Sequence, residues 1–181
     1  MKNFALSTFV AGALGLAATG AYAGDGTITF NGALTATTCT INGNGTSAKN
    51  FTVQLPTVST SLLTAAGNTA GTTSYSIALT GCTPVTAQSK AAVFYESGAT
   101  VDPTDGRLIT SGTAGNNVKL QLLNADGTPI KAGYSTDQQN LAWSSLASGS
   151  ATLSYQVQYY ATGATKAGPA NSSVVYTISY Q

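Results

Sequence analysis

A chain of 181 residues with seven Lys/Arg, six Asp/Glu and no histidine is close to neutral, and only 7% of it is charged, against roughly 25% in an ordinary globular domain. No basic stripe follows a phosphate backbone, which excludes nucleic acid as a partner, and no polybasic segment holds an anionic membrane surface. The absence of histidine removes imidazole triads and the common imidazole metal sites.

The chain opens as a secretory leader. Lys2 supplies the positive start, Phe4 to Ala18 a mostly apolar run, and Ala21-Tyr22-Ala23 a cleavage motif. That run is too short for a spanning helix, and no later one reaches spanning length, so no membrane insertion is expected. Removing 23 residues from 181 leaves 158, a size for one domain with a sizeable core. Loss of Lys2 leaves six basic against six acidic residues. Such a surface, rich in Thr, Ser, Asn and Gln, associates rather than repels.

Just past the cleavage motif, Thr27 to Thr35 alternates: Ile28, Phe30, Gly32 and Leu34 on one side, Thr29, Asn31, Ala33 and Thr35 on the other. Glycine weakens a strand interior and often marks close approach of another backbone. The segment therefore reads either as a bulged first strand or as a strand meant for a neighbouring molecule.

Short extended segments follow. Ala36 to Ile41 runs through Cys39 into the turn Asn42 to Gly45, and Phe51 to Leu55 alternates up to Pro56. Leu62 to Gly67 is a short helical turn or an irregular crossing. Strands are expected at Tyr75 to Leu79, Ala91 to Tyr95, Val118 to Leu122, Leu141 to Trp143, Ala151 to Ala161 and Val174 to Gln181, with a hairpin turn at Asn124 to Gly127. About eight short strands without a sustained helical period predict an all-β sandwich. Cys39 and Cys82, the two cysteines of an exported chain, most simply form one disulfide; two free thiols are the rival.

Catalytic signals are lacking. Asp102 and Asp105 sit in Asp102-Pro103-Thr104-Asp105-Gly106, which reads as a turn rather than a carboxylate pair. No motif supports a Ser–Lys dyad, and Trp143 reads as a core aromatic before a sugar-stacking platform. Asn44 and Asn171 head chance-level glycosylation matches. No enzyme activity, cofactor or metal is expected.

Taken together, the alternating Thr27 to Thr35 segment around Gly32, the Cys39 and Cys82 spacing, the Tyr159 to Gly163 run, Gly168 and the Tyr180-Gln181 ending resemble the subunits of chaperone–usher pili. The likeness is greatest to the major rod pilins of type 1 fimbriae. It spans the mature chain, except that loops such as Ala99 to Gly115 are unmatched. The resemblance implies an immunoglobulin-like sandwich lacking its last strand, completed by a donor strand from a neighbouring subunit or chaperone. It divides the chain into leader 1–23, donor extension 24–35 and pilin domain 36–181. Ile28, Phe30, Gly32 and Leu34 would be the donor residues, with Gly32 over a shallow part of the groove. Gly168, Val174, Tyr176, Ile178 and Tyr180 would form the acceptor and chaperone-docking side.

The implied partners are identical or homologous pilin subunits, a periplasmic chaperone and an outer-membrane usher, and the implied location is a surface fimbria. A minor adaptor or tip subunit is the second reading. A secreted monomeric lectin-like sandwich is the rival from another class.

Overall fold

The described residues form nine strands, the long ones where the sequence alternates, and they pair into two facing antiparallel sheets. The structure is a computed structural model that describes residues 29, 32, 34–111 and 116–181. The chain divides into two units, Met1–Ala33 and Leu34–Gln181. The expected leader, and Ile28 and Phe30 of the alternating segment, lie outside the described residues. All nine strands belong to the second unit.

In chain order they are β1 (Thr38–Gly43), β2 (Thr69–Thr83), β3 (Lys90–Tyr95), β4 (Leu108–Ile109), β5 (Val118–Asn124), β6 (Pro129–Ile130), β7 (Ser144–Ser145), β8 (Ala151–Ala161) and β9 (Tyr176–Tyr180). The larger sheet runs β1-β2-β8-β5-β4, with β6 beside β5; the smaller runs β7-β3-β9. Register follows the apolar pattern, because a one-residue slip would turn every inward side chain outward. Tyr75 and Ile77 of β2 lie opposite Tyr155 and Leu153 of β8. With Leu79, Leu120, Leu122 and Val157 they form the inner face of the larger sheet, and Ala91, Val93, Tyr95 and Ile178 close the core from the smaller one.

Three buried tyrosines tie the sheets together. The hydroxyls of Tyr75 and Tyr95 are 2.6 Å apart, and that of Tyr155 accepts from the Val93 backbone N–H at 3.0 Å. Burial raises the Tyr75 and Tyr95 phenols well above their ordinary range, so they remain neutral donors as a buried polar pair must.

The Cys39–Cys82 disulfide is formed and staples β1 to β2, closing a separation of 43 residues. A loop that long is worth roughly 4 kcal/mol on the chain-entropy account. Thiol titration of the unfolded mature protein is expected to find no reactive thiol; two per chain would contradict the pairing.

Two local features were not legible in the sequence. Gln139 is fully buried, and its amide accepts from the Tyr95 N–H at 3.0 Å and donates to the Tyr95 carbonyl at 2.7 Å. The side chain thus pairs with β3 as a strand would. This leaves only Lys90 and Ala91 for β7, so the strand expected at Leu141 to Trp143 is displaced to Ser144–Ser145. Trp143 is half-buried and sits outside the central core cluster, correcting its reading as a core aromatic.

The second feature is a charged clamp. The turn at Pro103 to Asp105 forms as expected, but its carboxylates have a task. Lys119 Nζ donates to Asp102 Oδ2 at 2.7 Å and to Asp105 Oδ2 at 2.8 Å. Arg107 donates to Asp105 at 2.9 Å and lies 3.7 Å over the Tyr160 ring. Together they hold the strap from Thr100 to Ile109 onto β5 and β8. Gly106 completes the fit, since at its φ of +69° a Cβ would stand 2.6 Å from the Lys131 Cα.

The bond from Lys119 holds the Asp102 carboxyl well below the usual range. At Asp105 burial opposes the shift, but the bonds from Lys119 and Arg107 outweigh it and the net direction is down. Carboxyls depressed in the fold stabilise it above their unfolded pKa and lose that contribution as pH falls through the folded values. The strap is therefore expected to be intact at neutral pH and to loosen first below about pH 4. Amide exchange at Thr100 to Ile109 against pH, compared with β8, checks this.

Candidate functional site

The smaller sheet ends at β9, which among the described residues pairs with β3 on one side only. Across from its free edge runs the segment Asn50 to Leu55. Its side chains alternate between half-buried Phe51, Val53 and Leu55 and exposed Thr52 and Gln54, the pattern of the strand expected there. Yet it is assigned to no strand, and among the described residues none of its backbone groups bonds to another backbone group. The segment is extended and alternating but has no strand partner among the described residues.

Between these two unpaired edges lies a groove of about 840 Å³. Val174, Tyr176, Ile178 and Tyr180 form one wall and Phe51, Val53 and Leu55 the other, while Tyr75, Ile77, Leu120, Leu122 and Val157 form the floor. The slot thus has mostly half-buried apolar walls over a buried apolar floor that belongs to the hydrophobic core. Unpaired strand edges and exposed apolar side chains together recruit an added strand.

The slot is narrowed at one place. Phe51 and Tyr176 meet across it edge to face, with centroids 6.2 Å apart, and the Tyr176 hydroxyl donates to the Lys49 carbonyl at 2.7 Å. Phe51 is seated over Gly43, where any Cβ would collide with the ring. Burial raises the Tyr176 and Tyr180 phenols, so they donate rather than carry charge. Among the described residues lining the groove, Lys49 alone is charged, and no described group of side chains could hold a metal ion. The arrangement binds an apolar, alternating strand.

Residues 55–181 match the family described as "FimA: Type-1 fimbrial protein, A". The chain belongs to this fimbrial protein family. It is 42% identical over 178 residues to the F17 fimbrial protein of Escherichia coli, covering 96% of this chain and 97% of that one. To the major fimbrial subunit SMF-1 of Stenotrophomonas maltophilia (strain K279a) it is 46% identical over 166 residues, covering 88% and 95%. Among solved structures, a chain from a chaperone–usher pilus matches with a TM-score of 0.61 at 20% identity, covering 87% of this chain and 96% of that one. The P pilus rod subunit PapA matches at 0.56 and 15% identity, covering 78% and 99%.

The fold is therefore the incomplete immunoglobulin-like sandwich of pilins, and the protein is a structural fimbrial subunit of the cell surface that polymerises with other pilin subunits. Its relatives are structural proteins rather than enzymes.

In this fimbrial subunit four residues singled out from the sequence come together: Val174, Tyr176, Ile178 and Tyr180 share one groove wall. Gly168 stands apart in the loop between β8 and β9, exposed and not lining the groove. Gly32 and Leu34 are exposed, Leu34 completely. Sequence reading missed the opposite wall, treating Phe51 to Leu55 as an ordinary strand. Its signal was an alternating run ended by Pro56 with no evident pairing partner. It also missed the Gly43 seat, which only the third dimension reveals.

Proposed function

We propose that this pilin builds the fimbrial rod by head-to-tail donor-strand exchange. The groove between β9 and Phe51 to Leu55 is the acceptor, and residues 24–35 are the donor for the next subunit. The observation that carries the reading is the slot itself, an apolar groove over the core flanked by two edges without backbone partners among the described residues. Ile28, Phe30 and Leu34 would add about 1.5–3 kcal/mol each on burial, together with main-chain bonds to both walls. Gly32 would pass the narrowing at Phe51 and Tyr176.

The direction of insertion follows from where the extension begins. Thr37 donates to the Pro84 carbonyl at 2.8 Å, and Thr38 pairs with Thr83. From there short steps lead to the C-terminal end of β9: Cys82 to Gly149, Gly149 to Leu146, Leu146 to Ser89, and Lys90 to Gln181. Thr37, at the root of the extension, and the end of β9 thus share a pole. A donor parallel to β9 would bring the neighbour's body to that same pole, where the subunit's own extension departs. An antiparallel donor brings it to the opposite end, giving a heterologous contact that propagates as a filament.

Before assembly the open groove needs cover, and this role belongs to a periplasmic chaperone, with transfer at an outer-membrane usher. The rod role is favoured over that of an adaptor or tip subunit by the likeness to SMF-1, a major fimbrial subunit. A monomeric lectin would have its sandwich closed, and the two unpaired edges count against it.

The test is a peptide of residues 24–35 added to a subunit lacking its extension. At a hundredfold excess over Kd, binding stabilises by about 2.7 kcal/mol, a rise in Tm of roughly 5–10 °C for a domain of this size. A scrambled peptide should give none. Equal shifts from both peptides would refute the donor assignment.

A further inference from the structure

Beside the groove lies a second cavity, of about 610 Å³, lined by Val101, Pro103, Ile109, Ala132 and Tyr134 among others. The two are back to back across the strap. Leu108 turns inward to the groove floor, while its neighbour Ile109 faces the second cavity and is 43% exposed. The strap is fastened to the chain leading into β9, since Ser172 donates to the Ile109 carbonyl at 2.7 Å and Thr100 to the Ser173 carbonyl at 2.6 Å. The cavity therefore flanks the mouth of the groove at the N-terminal end of β9.

We propose that this cavity is the second half of the joint between consecutive subunits, and that it receives the Thr83 to Val85 corner of the next copy of this chain. The inference rests on the donor-strand reading. A neighbour whose Leu34 lies at the mouth of the groove has three residues, Thr35 to Thr37, before its own body begins. Extended, they reach about 10 Å. Thr37 is hydrogen-bonded to the carbonyl of Pro84, so the Thr83-Pro84 corner arrives with the root of the extension. Both residues are exposed in the free subunit.

The two surfaces match in character. The corner segment from Thr83 to Gln88 carries no charge, nor do the residues lining the cavity. Their contact strips no ions of water, and it buries the exposed Ile109 side chain beside a proline ring. The cavity is continuous with the polymer interface, which a strand joint alone would leave free to swivel. A seated corner would fix the angle between consecutive subunits.

The experiment uses intact fimbriae assembled from the full chain with Ile109→benzoylphenylalanine. Irradiation is expected to join each subunit to the Thr83 to Val85 segment of another, giving a ladder of covalent multimers located by mass spectrometry. Separately, full-length mature Ile109→Glu should add to growing fibres about tenfold more slowly, while its uptake of the 24–35 peptide stays within about twofold of the parent. Intact fimbriae that cross-link only within a subunit, or to another segment, would overturn the proposal and leave the groove reading standing. An unchanged addition rate for Ile109→Glu would also overturn it. A parent chain that fails to take up the peptide would remove the groove reading, and this inference with it.

Discussion

Deletion of Gly24 to Leu34 is expected to abolish fibre formation while leaving a subunit that folds whenever its groove is filled. The two rival readings of that segment differ most sharply here. If it were a strand of its own sandwich, removing it would remove core and the domain would unfold. Leu34, the last residue of the deleted segment, is fully exposed. Circular dichroism of the truncated subunit with the 24–35 peptide reads folding, and electron microscopy reads polymerisation.

Gly32→Leu should act on assembly alone. Overpacking at a tight site costs about 1–3 kcal/mol, a roughly 5- to 150-fold loss in joint stability, and Gly32 is exposed in the free subunit. Polymerisation at the parental rate would show that Gly32 does not meet the narrowing. A truncated subunit that stays unfolded with peptide present would refute the donor assignment.

Much of the sandwich was readable because period-2 alternation reports one buried face and needs no tertiary knowledge. β2, β5 and β8 each lie on stretches where Tyr, Ile, Leu or Val recur at every second residue, and β9 continues the pattern to Tyr180. The two-residue strands β4 and β6 escaped because such pieces carry no periodicity; their partners in β5 define them. Gln139 and the Lys119 clamp escaped for another reason. A polar side chain that replaces a strand, or bridges residues fourteen and seventeen positions away, is set by spatial neighbours alone.

The groove was half legible, and physics explains which half. The β9 wall has a pairing partner in β3, so its alternation became a strand and its face could be read directly. The opposite wall has the same alternation but no strand partner among the described residues, and alternation cannot report whether a strand is paired.

Ile178→Asp is expected to be the most damaging single change in the groove. Ile178 is 8% exposed and lies opposite Val93 in the register of β9 with β3, yet it also lines the slot. An aspartate there either buries a charge against the core or takes up a proton at a raised pKa, and a buried unpaired polar group costs roughly 1–3 kcal/mol even when neutral. That loss adds to the missing apolar contact of about 1.5–3 kcal/mol, so a marginally stable subunit would be cleared before assembly. To separate folding from docking, Tyr180→Ala removes a half-buried ring from the same wall and leaves the centre of β9 intact. Val175→Ser changes a side chain at the rim of the groove that is 70% exposed and outside β9, and serves as the mild comparison. The expected order of subunit recovered with its chaperone is Val175→Ser near parental, Tyr180→Ala reduced, and Ile178→Asp nearly absent. Normal recovery of Ile178→Asp in complex with the chaperone would mean that the β9 wall is not where the completing strand docks.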